Sequence, residues 1–206
     1  MIAQTRRTFT IAELRSYARR VAANRRQLRA AHGPDGLSER LREQIKYGVA
    51  LTNQCRHCQV AHETFALHTG SSPDELAAIV GGDAAVFEPA TWTAILYAQA
   101  LAANDFAPQP ALRAETESFL GPRAADLVEA TALEMTVANR CGNTYDALLH
   151  RVHDGPVPES RVIDEIAVSA VFLLGALVSA LRVSRLRREA PHHVLSLLFS
   201  RPENFR

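Results

Sequence analysis

Apolar residues recur along this chain at helical spacing, and nowhere at the two-residue spacing of a half-buried strand. Thr10 and Glu13 stand as a T-x-x-E capping box, and Ile11, Leu14, Val21 and Leu28 follow at three- and seven-residue steps. This predicts an amphipathic, Arg-rich helix ending near His32, broken by Gly33, Pro34 and Gly36. A second helix from about Ser38 carries Leu41, Ile45, Val49 and Ala50 on its apolar face, with Glu43 on the same helix. Asn53 suits an N-cap, which predicts a third helix from Gln54 with Cys55 and Cys58 both in its first turn. Ser72, Pro73 and Glu75 open a short helix that stops at Gly81 and Gly82. Further helices are expected at about 89–103, 110–119, 123–140, 143–153, 159–187 and 191–199. The fold class is all-α: a compact bundle of short helices around one unusually apolar long one.

With 206 residues, 47% of them hydrophobic, the chain buries a substantial core without a disulfide framework. It reads as a single domain over 1–206, with a core at about 36–155, an Arg-rich N-terminal helix at 10–32 and C-terminal helices at 158–199. A net charge of +1 supplies no global attraction for nucleic acid or a membrane surface, and neither partner is expected. No signal peptide is visible, because no apolar segment follows Arg6 and Arg7, and a cytoplasmic location is expected. The uncharged run 166–181 has 16 residues, short of the ~20 that cross a bilayer, and predicts a buried helix. A faint repeat appears at an offset of 86 residues: Leu41, Glu43, Asn53 and Cys55 align with Leu127, Glu129, Asn139 and Cys141. It raises a duplicated two-helix unit, whose second copy has Asn143, Thr144 and Leu148 where the first has His57, Cys58 and His62.

The chemistry concentrates in residues 43–62, EQIKYGVALTNQCRHCQVAH. A C-x-x-C among only three cysteines is no secreted disulfide pattern and points to redox or metal chemistry. On a helix begun at Gln54, Cys55, Cys58 and His62 share one face. The N-terminal dipole and Arg56 would favour thiolate there. A thiolate attacks peroxide or a disulfide, and a second thiol three residues away captures the sulfenic acid. His62 can act as base toward Cys58, with Glu43 as the candidate carboxylate to orient its ring.

The pattern E-x11-C-x-H-C-x3-H, carried by Glu43, Cys55, His57, Cys58 and His62, resembles the signature of the AhpD-like, carboxymuconolactone decarboxylase superfamily of all-α proteins. The similarity is strongest over 38–70, weakens toward His153, and leaves out the N-terminal helix and the region after Pro158. It implies a compact AhpD-like bundle and a cofactor-free alkylhydroperoxidase or disulfide oxidoreductase. Cys58 would then be the peroxidatic thiol and Cys55 the resolving one, exposed to a dihydrolipoyl group or a small thiol protein. Glu43 and His62 would relay protons to Cys58, and His57 would assist Cys55. The apolar faces of the short helices also predict a homo-oligomer, common in this superfamily, with the 166–181 helix a candidate for its centre.

Carboxymuconolactone decarboxylase-like chemistry is the alternative within the family, although that branch usually lacks the cysteine pair. Zinc held by C-x-x-C-x3-H, with His57, Cys141 or water as a fourth ligand, competes, as does a structural member with buried cysteines. Cys141 reads as a packed core thiol, and Trp92, Tyr97 and Phe106 as core aromatics. His150, His153, His192 and His193 read as surface or helix-end residues. Arg15, Arg19, Arg26 and Arg29 form a solvated face or a subunit contact, while Glu129 and Glu134 need partners if buried.

Overall fold

In a computed structural model, which describes residues 7–158 and 160–199, the chain is 79% helix, with no strand among the described residues. Residues 1–6, on which the reading of no leader partly falls, and Glu159, the expected start of a helix, lie outside the described residues. The helices are α1 (Ile11–Ala23), α2 (Arg25–Ala31), α3 (Glu39–Thr52), α4 (Arg56–His68), α5 (Pro73–Gly81), α6 (Pro89–Ala103), α7 (Pro110–Leu120), α8 (Pro122–Asp154), α9 (Val162–Arg187) and α10 (Pro191–Phe199).

The capping boxes form as the sequence predicts, at Thr10 and Glu13 for α1 and at Ser72 and Glu75 for α5. The expected continuous helix to His32 is interrupted at Asn24, whose side chain donates to the Arg20 carbonyl at 2.9 Å and competes with the backbone ladder. Arg15, Arg19, Arg26 and Arg29 are all exposed.

A larger difference concerns the centre of the bundle. The segments expected at 123–140 and 143–153 are one unbroken helix, the 33-residue α8. Gly142 does not end it, and Asn143 is fully buried and bonds across to another segment instead of capping a new start. Helices α1, α2, α3, α4, α6, α7 and α9 all pack against α8. Ile45, Val49, Ile95, Tyr97 and Val128 form the main core between α3, α6 and α8, and Phe9, Leu133, Cys141, Tyr145, Val168 and Phe172 form a second core.

The apolar helix α9 is not the buried axis that its composition suggests. It lies on the flank of α8, burying Val168, Phe172 and Val183 and leaving Ile166, Val171, Leu174, Val178 and Leu181 exposed. A third of its most apolar 18 residues is buried, and the helix is long and apolar enough to cross a membrane by length and composition. Its inner face is partly polar: Glu165 is fully buried and accepts a bidentate pair from Arg151 at 2.6 and 2.8 Å.

Candidate active site

The loop between α3 and α4 sets the site. Asn53 does not cap α4; it closes α3 with αR backbone, its carboxamide meeting Asn139 at 3.1 Å and Thr136 at 3.3 Å on α8. Its carbonyl accepts from Asn143 Nδ2 at 2.8 Å. Gln54 then turns through a left-handed conformation, φ 55°, which a non-glycine residue adopts at a cost of about 1 kcal/mol or more. Cys55 becomes the N-cap of α4, so only Cys58, its third residue, lies in the first turn.

The Cys55 and Cys58 sulfurs are 2.7 Å apart with both thiols free. Cys55 is wholly enclosed, whereas Cys58 retains 7% of its surface. The sequence-based expectation of an exposed resolving thiol at Cys55 is therefore reversed. So is the expectation of a lowered pKa there: burial pushes the Cys55 thiol well up, and the neighbouring Cys58 pushes it further. The α8 backbone makes this fit possible, because a Cβ on Gly142 would stand 2.7 Å from the Cys55 sulfur and 3.1 Å from Phe172 Cε2.

Two carboxylate–imidazole pairs flank the thiols. Glu43, on α3, accepts from His62 Nδ1 at 2.7 Å and from Lys46 Nζ at 3.2 Å. Burial would raise its carboxyl, but the His62 hydrogen bond and charge, with Lys46, outweigh it and hold the pKa at about 2. Nδ1 therefore carries a proton and Nε2 is the position for exchange. His62 follows Cys58 by one helical turn, and both line the same cavity.

Asp146, on α8, forms the second pair and is fully buried. It takes Arg56 Nε at 3.0 Å, Arg56 Nη2 at 2.8 Å and His57 Nε2 at 2.9 Å. Burial works to raise its pKa, and the bonds and charges of His57 and Arg56 bring it below the ordinary value. The charge expected of Arg56 is thus spent on Asp146. The His57 ring packs on Phe172 and Tyr145 at centroid distances of 5.3 and 5.7 Å. Asn139, Gly142, Asn143 and Asp146, one stripe of α8, clamp residues 53–57 from behind. Sequence reasoning missed Asp146 because dividing α8 near Gly142 hid this periodic polar stripe.

Above Cys58 opens a cavity of about 370 Å³, bounded chiefly by α4, α8 and α9, with Val194 of α10 closing one side. Its walls are mainly apolar, including Met135, Val171, Phe172 and Val183. Cys141 lines it too, a core thiol pushed by burial, then by Cys58, to about 12. Glu134 also lines it, while Glu129 lies elsewhere, bonded to Tyr97 and Arg113 and partly exposed. Tyr97 is core, Trp92 and Phe106 are half-buried, and His153, His192 and His193 are exposed. His150 accepts its helix-end role by bonding the Gly155 carbonyl at 2.9 Å. As for zinc, no group of three or more His, Cys, Asp or Glu among the described residues is placed to hold a metal ion; the two imidazoles nearest the thiols are each turned to a carboxylate.

The model of the carboxymuconolactone decarboxylase family, part of the AhpD-like superfamily, matches residues 16–100. That segment contains Glu43, Cys55, His57, Cys58 and His62, and it reaches further toward the N-terminus than the resemblance by motif. Asp146 and most of the cavity wall lie outside it. No curated protein and no solved structure matches the chain.

Proposed function

We propose that this protein is a thiol peroxidase of the alkylhydroperoxidase type, or a disulfide oxidoreductase using the same cycle. One observation carries the reading: two free sulfurs 2.7 Å apart, one of them facing an apolar cavity that His62, held from behind by Glu43, also borders. Cys58 thiolate attacks the terminal oxygen of a hydroperoxide, the O–O bond breaks, and the alkoxide leaves as alcohol with a proton from the His62–Glu43 pair. Cys55 then attacks Cys58 sulfenic acid, forming the disulfide and releasing water. An external dithiol, a dihydrolipoyl group or a small thiol protein, returns the two electrons. With Cys55 enclosed, that reductant enters through the cavity and engages Cys58 first. The apolar walls favour an organic hydroperoxide. We assign the bare, uncharged face of α9 at 166–181 to a second copy of the chain, and the whole cycle to a reducing compartment such as the cytoplasm.

The family match favours one second reading, a carboxymuconolactone decarboxylase-like enzyme in which Glu43 and His62 move protons without the thiols. Thiol counting before and after one equivalent of peroxide separates the two. The peroxidase loses two thiols per chain, and Cys58→Ser abolishes consumption; retention of all thiols, or peroxide turnover by Cys58→Ser at the wild-type rate, refutes it.

A further inference from the structure

Closing the disulfide poses a problem that the Glu43–His62 pair does not solve. Cys55 must lose its proton as it attacks Cys58, yet it is wholly enclosed, and burial holds its thiol protonated near neutral pH. A base must stand beside it, inside the protein. His57 lies two residues along the same turn, its ring almost fully enclosed between Tyr145 and Phe172, and Phe172 is also among the atoms nearest Gly142 at the Cys55 sulfur. Its Nε2 is committed to Asp146 at 2.9 Å. An ionised Asp146 accepts from Nε2–H, which leaves the basic lone pair on Nδ1.

We infer that Asp146 is a positioning residue that fixes the tautomer and orientation of His57, so that His57 takes the Cys55 proton during disulfide closure. This rests on the redox cycle proposed above and adds to it a carboxylate from outside the family-matched segment. The step balances: the Cys55 proton passes to His57 and on to the departing hydroxide of Cys58 sulfenic acid, the S–S bond forms, and water leaves. Arg56, bound to the same carboxylate and sharing its Oδ1 with His57, keeps Asp146 ionised while it does so. The division of labour is then spatial. Glu43 and His62 on one flank serve the attack of Cys58, and Asp146 and His57 on the other serve its resolution. The other ionisable groups about the site include Tyr145 on α8, packed on the His57 ring, Lys46 on α3, bonded to Glu43, and Arg56, Cys141 and Glu134 at the cavity wall.

The test separates the two steps. Reduced Asp146→Asn is mixed with one equivalent of hydroperoxide, following first Cys58 sulfenic acid by dimedone trapping and then disulfide by mass. Sulfenic acid should form within about two-fold of the wild-type rate while closure slows about ten-fold or more, and raising the pH should restore closure as Cys55 ionises unaided. His57→Gln, which keeps Asp146 and Arg56 paired, should show the same defect should Asp146→Asn fold poorly. The double variant should be no slower than His57→Gln, because Asp146 acts through His57. Closure at the wild-type rate in either variant, slowing without rescue by pH, or multiplied defects in the double variant would overturn the inference. Oxidised glutathione is the second probe: Cys55 displaces glutathione from Cys58 by the same proton transfer. Thiols inert to peroxide that still show the Asp146 effect with glutathione would refute the peroxidase reading and leave this inference standing.

Discussion

Cys55 rests against Gly142 so closely that one added carbon on the glycine would lie 2.7 Å from the thiol sulfur. Helix α8 is thus the wall on which the dithiol is mounted. Gly142→Ala gains helix propensity, about 1 kcal/mol, but forces Cys55 or Phe172 to move. Overpacking should win. A net loss of roughly 1–2 kcal/mol by denaturant unfolding is expected, with slower disulfide closure; unchanged stability and closure would show that the loop at 53–57 yields without cost.

The order of thiol labelling follows from enclosure. Cys58 should react first with iodoacetamide in the folded, reduced protein, because it alone of the pair reaches the cavity. Cys55 and Cys141, both buried with raised pKa values, should label only on unfolding. Peptide mass mapping over time reads this directly, and early labelling of Cys55 contradicts the access route through Cys58.

Glu43 makes acid stability a measure of its pairing. Its folded pKa, about 2, lies below the ordinary 4.5, so its contribution is complete above pH 4.5 and disappears as pH falls toward 2. The full shift corresponds to at most about 3 kcal/mol. Wild type should lose stability across that range more steeply than Glu43→Gln. At neutral pH Glu43→Gln should stay folded and turn over peroxide at least about ten-fold more slowly. Parallel acid-unfolding curves for the two proteins would remove the ion pair from the account.

Cavity shape should govern substrate choice. Ala176 lines the cavity on α9, and Ala176→Phe should raise KM for a bulky probe such as cumene hydroperoxide while hydrogen peroxide turnover changes by less than about two-fold. Equal loss with both probes would mean that the cavity does not select.

The bare face of α9 should be covered in solution. Leu174 is 74% exposed at the middle of that face. Wild type should sediment as an oligomer, and Leu174→Glu should shift it toward monomer with helicity retained. A monomeric wild type that binds lipid vesicles would instead assign the face to a membrane.

Much of this was legible one helix at a time. The Ser72 capping box and the glycine stop bound α5, Pro89 opens α6, and the four-residue step from Cys58 to His62 puts both on one turn of α4. Glu43 and His62 were paired by resemblance, and they meet at 2.7 Å. The errors share one cause. Asn53 looked like an N-cap, because asparagine at a helix start commonly satisfies free backbone N–H groups, and Asn143 like the first residue of a new helix. Here each spends its side chain on the other segment, or on its own counterpart across α8, so α4 starts two residues later than expected and α8 runs on unbroken. The contact between Asn53 and Asn139 joins positions 86 apart, the offset of the faint repeat, yet one unit bends at that point and the other is straight.

The sequence by itself determined an all-helical chain, the boundaries set by local caps, and a reactive group of residues within 43–62, since capping, helical periodicity and one-turn spacing act between near neighbours. Only the tertiary structure decided which thiol is enclosed, that Asp146 holds both residues between the cysteines, and that the most apolar helix lies outside. Those properties depend on which surfaces meet across tens of residues. Burial, desolvation and the pairing of a charge are set by the packed neighbour, which composition and spacing along the chain do not specify.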